Sequence, residues 1–302
     1  MRKKLAVLLP VLAGICWGIV GLFIRHLDGT GLDNPSIVFT RTAVGSILLF
    51  LFIMVTDRGK LRIKLRDLPV VMAISMVGSV LLMQFYNTAA LRLSLSLAAV
   101  LLSMSPVVVL IASAIIFKEK ITLRKVLCMA GAIAGCAMLC GIFDGGGFQW
   151  DTLGLLAGIA STICNGVYIL LTRVSADKGY STLTICLYSS LFATIVLAPF
   201  TDWQTLGSYM ASDVWGSSLF LVMQSVFTSL LPSVAYILGM KYVETSRAAI
   251  LEGGSEPLTA MATGIIVYSE IPTAAGLAGM VITIIALTLL SCDSDSIRKD
   301  KL

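Results

Sequence analysis

The sequence predicts an all-α membrane protein, ten transmembrane helices arranged as two inverted five-helix repeats. Three observations lead there. Apolar runs of membrane-spanning length recur from one end of the chain to the other, cationic residues gather on alternate connections, and stretches of the two halves match at a fixed register.

Of the 302 residues, 57% are hydrophobic and 13% charged, with a mean hydropathy of +0.94. A soluble domain carries about 25% charged residues. The apolar runs fall at roughly 5–27, 35–56, 67–91, 94–117, 121–143, 151–173, 180–201, 214–241, 246–269 and 272–292, with ends good to a few residues. They are continuous rather than alternating, and a chain in hydrocarbon must satisfy its own backbone hydrogen bonds, so they predict helices and not barrel strands. The first run follows Met1-Arg-Lys-Lys and contains Leu12-Ala-Gly-Ile-Cys16, close to a lipoprotein cleavage box. At about 20 residues it exceeds a signal-peptide core, so it reads as an uncleaved first helix.

With the amino terminus in the cytoplasm, all but three of the 22 Lys and Arg residues face inward. Arg25 and Arg92 fall outside and Arg41 lies within a span, whereas the outer connections at 143–151 and 201–204 carry acids and no bases. This asymmetry predicts a multi-pass protein of the cell membrane with both termini cytoplasmic. The net charge of +5 therefore orients the chain in the lipid bilayer and does not form a patch for nucleic acid. The seven cysteines, Cys16, Cys128, Cys136, Cys140, Cys164, Cys186 and Cys292, form no CxxC pair and read as small packing residues.

A shift of 151 lays Pro106 to Glu119 over Pro257 to Glu270, matching Pro with Pro, Glu with Glu and Thr122 with Thr273. A shift of 148 lays Trp17 to Arg25 over Asn165 to Arg173, matching Gly18 with Gly166 and Arg25 with Arg173. The units are residues 1–146 and 147–302. Each holds five helices, an odd number, so the second enters the membrane in the opposite sense, an arrangement typical of secondary transporters. Two fused units also make a monomer a sufficient assembly.

Ionisable groups inside a membrane helix cost about 2.5–3.5 kcal/mol each at its centre and need a partner, a cavity or an escape route. Glu256 falls near the middle of the ninth predicted helix, with Glu252 one turn away on the same face. Two readings of Glu256 stand: a group that binds protons or substrate, or a protonated carboxyl that joins helices. Glu252 is either its partner or a wetted vestibule residue. Arg41 is either a snorkelling outer anchor or a cation that lines a cavity and meets a carboxylate. Pro106 and Pro257 each remove a backbone donor, freeing the carbonyls of Leu102 and Gly253, and are expected to break the fourth and ninth helices at matching depths. Trp17 and Asn165 are mates under the repeat, as are Glu256 and Ser105. Tyr86, Tyr188 and Tyr236 complete the candidate lining, each also readable as a packing or interfacial ring. Glu119 and Glu270 end their helices at opposite faces and read as caps or pairs for neighbouring loops. Gly14 and Gly18, Gly131 and Gly135, and Gly154 and Gly158 have the spacing of close helix contacts.

A Pro followed 13 residues later by a helix-terminal Glu, once in each half, resembles the EamA branch of the drug/metabolite transporter superfamily. Trp17-Gly18, Arg41 and the pair Glu256-Pro257 share that resemblance; Glu252-Gly253-Gly254 departs from the commonest pattern. The resemblance implies a carrier of small molecules, in relatives often an exporter of amino acids, working by alternating access. Paired carboxylates leave open a proton-coupled exporter of drugs or organic cations. A membrane-embedded enzyme finds no support: His26 is the single histidine, no HExxH or phosphate-binding loop occurs, and every Asp lies in a connection, at a helix end or in the tail. No pattern calls for a cofactor or a metal.

Overall fold

The computed structural model describes residues 8–116, 122–139, 151–177, 179–240, 242 and 245–299; at 113, 116, 173–177, 245–247, 249–250 and 290–299 it describes the backbone alone. Among these residues the chain is helical throughout, with no strand. Helices α1 (Leu8–Gly29), α2 (Asn34–Thr56) and α3 (Leu65–Arg92) are followed by α4, built of Leu95–Ser103 and Ser105–Ile116. Then come α5 (Leu123–Leu139), α6 (Thr152–Asp177), α7 (Thr182–Phe200), a short α8 (Trp203–Ser212), α9 (Val214–Met240), α10 (Thr245–Tyr268) and α11 (Ala274–Lys299). Seven of them, α1 to α4, α6, α7 and α9, are long and apolar enough to cross a membrane. Helix α10 carries Glu252 and Glu256, and the apolar part of α11, Ala274–Leu289, is shorter.

Helix starts follow from local chemistry. The side chains of Asp33, Ser94, Ser181, Asp202 and Asp213 each accept hydrogen bonds from the free backbone N–H groups that open α2, α4, α7, α8 and α9. Helix α8 has no counterpart among the sequence expectations, because its ten residues carry a mixed, short pattern and only Leu206 is buried.

The helix pairings come in matched sets. Helix α1 packs on α10 as α6 packs on α4; α1 packs on α9 as α6 does on α3; α2 packs on α9 as α7 does on α3. The remaining large contacts join α2 to α7, α4 to α10 and α5 to α11. Glycines bring several of these backbones together. A methyl group at Gly18 would lie 2.6 Å from both the Glu256 carbonyl oxygen and Thr259 Cβ, so α1 and α10 touch main chain to main chain. Gly135 and Gly279 do the same between α5 and α11, each facing the other's carbonyl.

Two interruptions also match. Helix α3 widens into a π-helix over Ser75–Leu81 and α9 over Val226–Leu230. A π turn loosens the regular backbone ladder and recurs at functional sites.

Candidate functional site

Glu256 is buried, 8% exposed, one residue before Pro257. Contrary to expectation, α10 runs through Pro257 as one helix, Thr245–Tyr268. The loosened turn is held from the side: the single proton of the Ser255 hydroxyl is shared among the carbonyls within its reach, Leu251 (2.8 Å), Glu252 (3.0 Å) and, across the contact, Val11 of α1 (3.3 Å). In α4 the expected break is present. Met104 leaves the helix at φ −76°, ψ 0°, and Ser105 starts a new segment that leads straight into Pro106. A further break, unforeseen in the sequence, interrupts α1 at Ile19, next to the Gly18–Glu256 contact.

Around Glu256 the structure assembles four other predicted residues. Trp17 stacks obliquely on Tyr236 of α9, ring centroids 6.2 Å apart at 50°. Tyr236 lies within electrostatic range of Glu252, and Glu252 within range of Glu256. Tyr86 of α3, 4% exposed, packs in the same cluster as Ala260 and Trp17 and lies close enough to feel the charges of both Glu256 and Arg41. Among the described residues neither carboxylate forms an ion pair.

Arg41 turns inward rather than snorkelling. Its guanidinium donates to the Thr228 carbonyl (2.8 Å), to Ser229 Oγ (3.5 Å) and to Met83 Sδ (3.1 Å), all on the far wall formed by α9 and α3. Ser225 closes the contact by donating to the Arg41 carbonyl at 3.3 Å. Every one of these acceptors is neutral, so the cation has no compensating acid among the described residues. The equivalent position on α7 holds Ser189, which meets the π-helix of α3: Ser75 donates to its carbonyl at 2.6 Å and Ser79 shares a hydroxyl–hydroxyl bond at 2.8 Å. The frame is thus duplicated and the charge is not.

Two predicted residues stand apart. Asn165 of α6 donates to Ser105 Oγ at 3.1 Å, joining α6 to the break in α4 on the matching side of the bundle. Tyr188 donates to the Leu61 carbonyl at 2.7 Å, beside Thr184, which donates to Lys60 O. It fastens the α2–α3 connection and stands apart from the other candidates, because a phenol this close to the start of α7 reaches the connection before the middle of the bundle. Sequence reasoning missed Met83, Ser225, Thr228 and Ser229 as the seat of Arg41. The Ser/Thr-rich stretch of α9 was the available signal. Gln224, one residue earlier, is 1% exposed and its Oε1 accepts no hydrogen bond. Glu270 pairs with Arg25 at 2.7 Å; Glu119 lies outside the described residues, and so does the side chain of Arg173.

Helices long and apolar enough to span a bilayer, a matched pair of π segments and inward-facing ionisable groups without ion pairs among the described residues define a multi-pass membrane transporter. The chain belongs to the EamA-like transporter family, whose model matches residues 4–141 and again 152–292. It is similar to the pseudopaline exporter of Pseudomonas aeruginosa, 24% identical over 289 residues that cover 95% of this chain and 96% of that one. The probable terminal-alkyne amino-acid exporter of Streptantibioticus cattleyicolor is 24% identical over 296 residues, 96% and 95% of the two chains. A transporter of Archaeoglobus fulgidus is 25% identical over 292 residues, 96% and 99%. A solved crystal structure superposes with a TM-score of 0.63 at 18% identity, covering 97% of this chain and 99% of the other, which establishes the fold.

Proposed function

We propose that this protein is a secondary exporter of amino acids or related amphipathic compounds in the cell membrane, working by alternating access and without chemistry on its cargo. The observation that carries the reading is the separation of charge: Arg41 with only neutral partners on one side, Glu252 and Glu256 on the other, and Tyr86 within reach of both. A molecule with a carboxylate and an ammonium group complements that set, and an uncompensated charge in the membrane interior is costly until it is met. The names of two similar proteins, exporters of pseudopaline and of an amino acid, support the same class.

In this reading the chain forms ten spans in two inverted units, residues 1–146 and 147–302, with both termini cytoplasmic, and acts as a monomer. The matched helix pairings and the paired π segments support the duplication. The halves rock about the Glu256 region and expose it to each face in turn.

The second reading, proton-coupled export of organic cations, is favoured by the two adjacent carboxylates alone. Counterflow in proteoliposomes distinguishes the two: labelled amino acids exchange under the first reading and lipophilic amines lacking a carboxylate under the second. Replacing Arg41 with Ala sharply reduces exchange in the first case and spares it in the second. If neither class exchanges, both fail.

A further inference from the structure

We infer that Arg25 and Glu270 form the outer gate of the transport path, clamping the ends of α1 and α10 onto the corner where α3 turns into α4. The inference rests on the transporter reading above. Arg25 spends its whole fork there. One terminal nitrogen donates to Glu270 Oε1 at 2.7 Å, the other to the Leu93 carbonyl at 2.7 Å, and Nε to the Ala90 carbonyl at 2.9 Å, while the plane lies 4.6 Å from the Tyr268 ring centre. Glu270 in turn accepts the free N–H of Leu95, which opens α4, at 3.1 Å. Four helix ends thus meet at two side chains.

Three features make this a latch rather than a fixed rivet. First, both side chains are partly wet, 17% and 22% exposed, so water can replace the pair's hydrogen bonds when it parts. Second, Glu270 is aimed by strained backbone: Ser269, φ 55°, is the single non-glycine residue with positive φ among those described, and the Glu270 N–H turns back to the Gly264 carbonyl at 3.0 Å. Third, the layer beneath is built to separate. Between the Glu256 region and the latch lie Val20, Ile24, Ala89, Ala98, Ala99 and Ala260, small or aliphatic residues. Flat alanine faces part without breaking polar bonds; the Tyr268 hydroxyl, which donates to the Leu22 carbonyl at 3.4 Å, joins α1 to α10 on one side of them, and the latch supplies the polar hold on the other. Glu256 and Tyr268 stand twelve residues apart on α10, about 18 Å of helix, so this layer seals the outer half of the path.

The test uses the full chain in proteoliposomes. Ser94→Cys with Glu270→Cys places a thiol on each side of the latch, and oxidation should stop counterflow of a labelled mixture of common α-amino acids, with reduction restoring it. Cross-linked protein that still transports at its reduced rate overturns the gate. Independently, Ala98→Cys lies within the alanine layer, beneath the latch, and a membrane-impermeant thiol reagent added outside should label it several-fold faster when Glu270→Gln is also present. Unchanged labelling overturns the gate, and it settles the matter should the double-cysteine protein fail to cross-link. If labelling rises while the wild-type chain moves no amino acid, the gate stands as a moving part and the amino-acid reading of the cargo is what fails.

Discussion

Arg41 of α2 donates to the Thr228 carbonyl of α9 at 2.8 Å, across 187 residues of sequence, on a turn that is π-helical. A π turn leaves carbonyls poorly used by its own helix, so the guanidinium is held in place without being neutralised.

That geometry predicts a graded response at position 41. Arg41→Ala should weaken binding of carboxylate-bearing cargo by about 10- to 100-fold, the worth of a charge-assisted hydrogen bond of about 1.5–3 kcal/mol. Arg41→Lys keeps the charge but cannot reach Thr228 and a ligand together, and should fall between wild type and Ala. Equilibrium binding of labelled amino acids to purified protein reads the order. Equal affinity in all three would remove Arg41 from the site.

Glu256→Gln removes a titratable group from the cluster that holds Trp17, Tyr86, Tyr236 and Glu252. Its transport rate should lose the wild-type dependence on pH, while Glu252→Gln, on the partly exposed side of the pair, retains most of it. Initial rates from pH 5 to 9, roughly the span over which a buried carboxyl can titrate, check this. A Gln variant with the wild-type profile would leave Glu256 a packing residue.

Gly18→Ala places a methyl group 2.6 Å from a backbone oxygen of α10, which cannot yield as a flexible side chain would. The overpacking should cost about 1–3 kcal/mol and lower the unfolding temperature in detergent. Gly29→Ala, where nothing lies within 4 Å, is the matched control and should melt like wild type.

At the start of α8, hydrogen bonds from the Thr205 hydroxyl and backbone, and from the Gln204 backbone, hold the Asp202 carboxyl below its ordinary value of 3.8. The cap on α8 is therefore fully present above that pH and is lost as pH falls through the lower, folded-state value. The protection of α8 amides, their exchange rate taken relative to the intrinsic rate at each pH, should fall on acidification below about pH 4 in wild type. In Asp202→Ala that protection should be low already at neutral pH and unchanged by acid.

Much of this fold could be read in the sequence, because a bilayer imposes its own arithmetic. Hydrocarbon thickness sets the length of each run, and the matching Pro and Glu residues revealed two copies of one unit. What escaped depended on neighbours distant in the chain. Pro257 does not break α10, because Ser255 and the facing glycines of α1 brace the turn, whereas Pro106 stands at the start of a new segment and α4 breaks. Neither π-helix has a composition of its own; each lies where the other half presses Arg41 or Ser189 against it. Trp17, Tyr86, Tyr236 and the two glutamates were legible as candidates for one cluster since polar groups are rare at that depth. Tyr188 was grouped with them, although it stands early in α7 and reaches the α2–α3 connection instead.

The main partners of α1 are α9 and α10, and its last salt bridge spans 245 residues. During synthesis at 5–20 residues per second, that interval corresponds to about 12–50 s in which the first helix is made and its partners are not. Its glycine face and Arg25 must wait in the lipid or against the insertion machinery until the tenth helix emerges. The order in which this chain enters the membrane is therefore not the order in which it becomes stable, and truncation after the first repeat would strand the helix on which the second half closes.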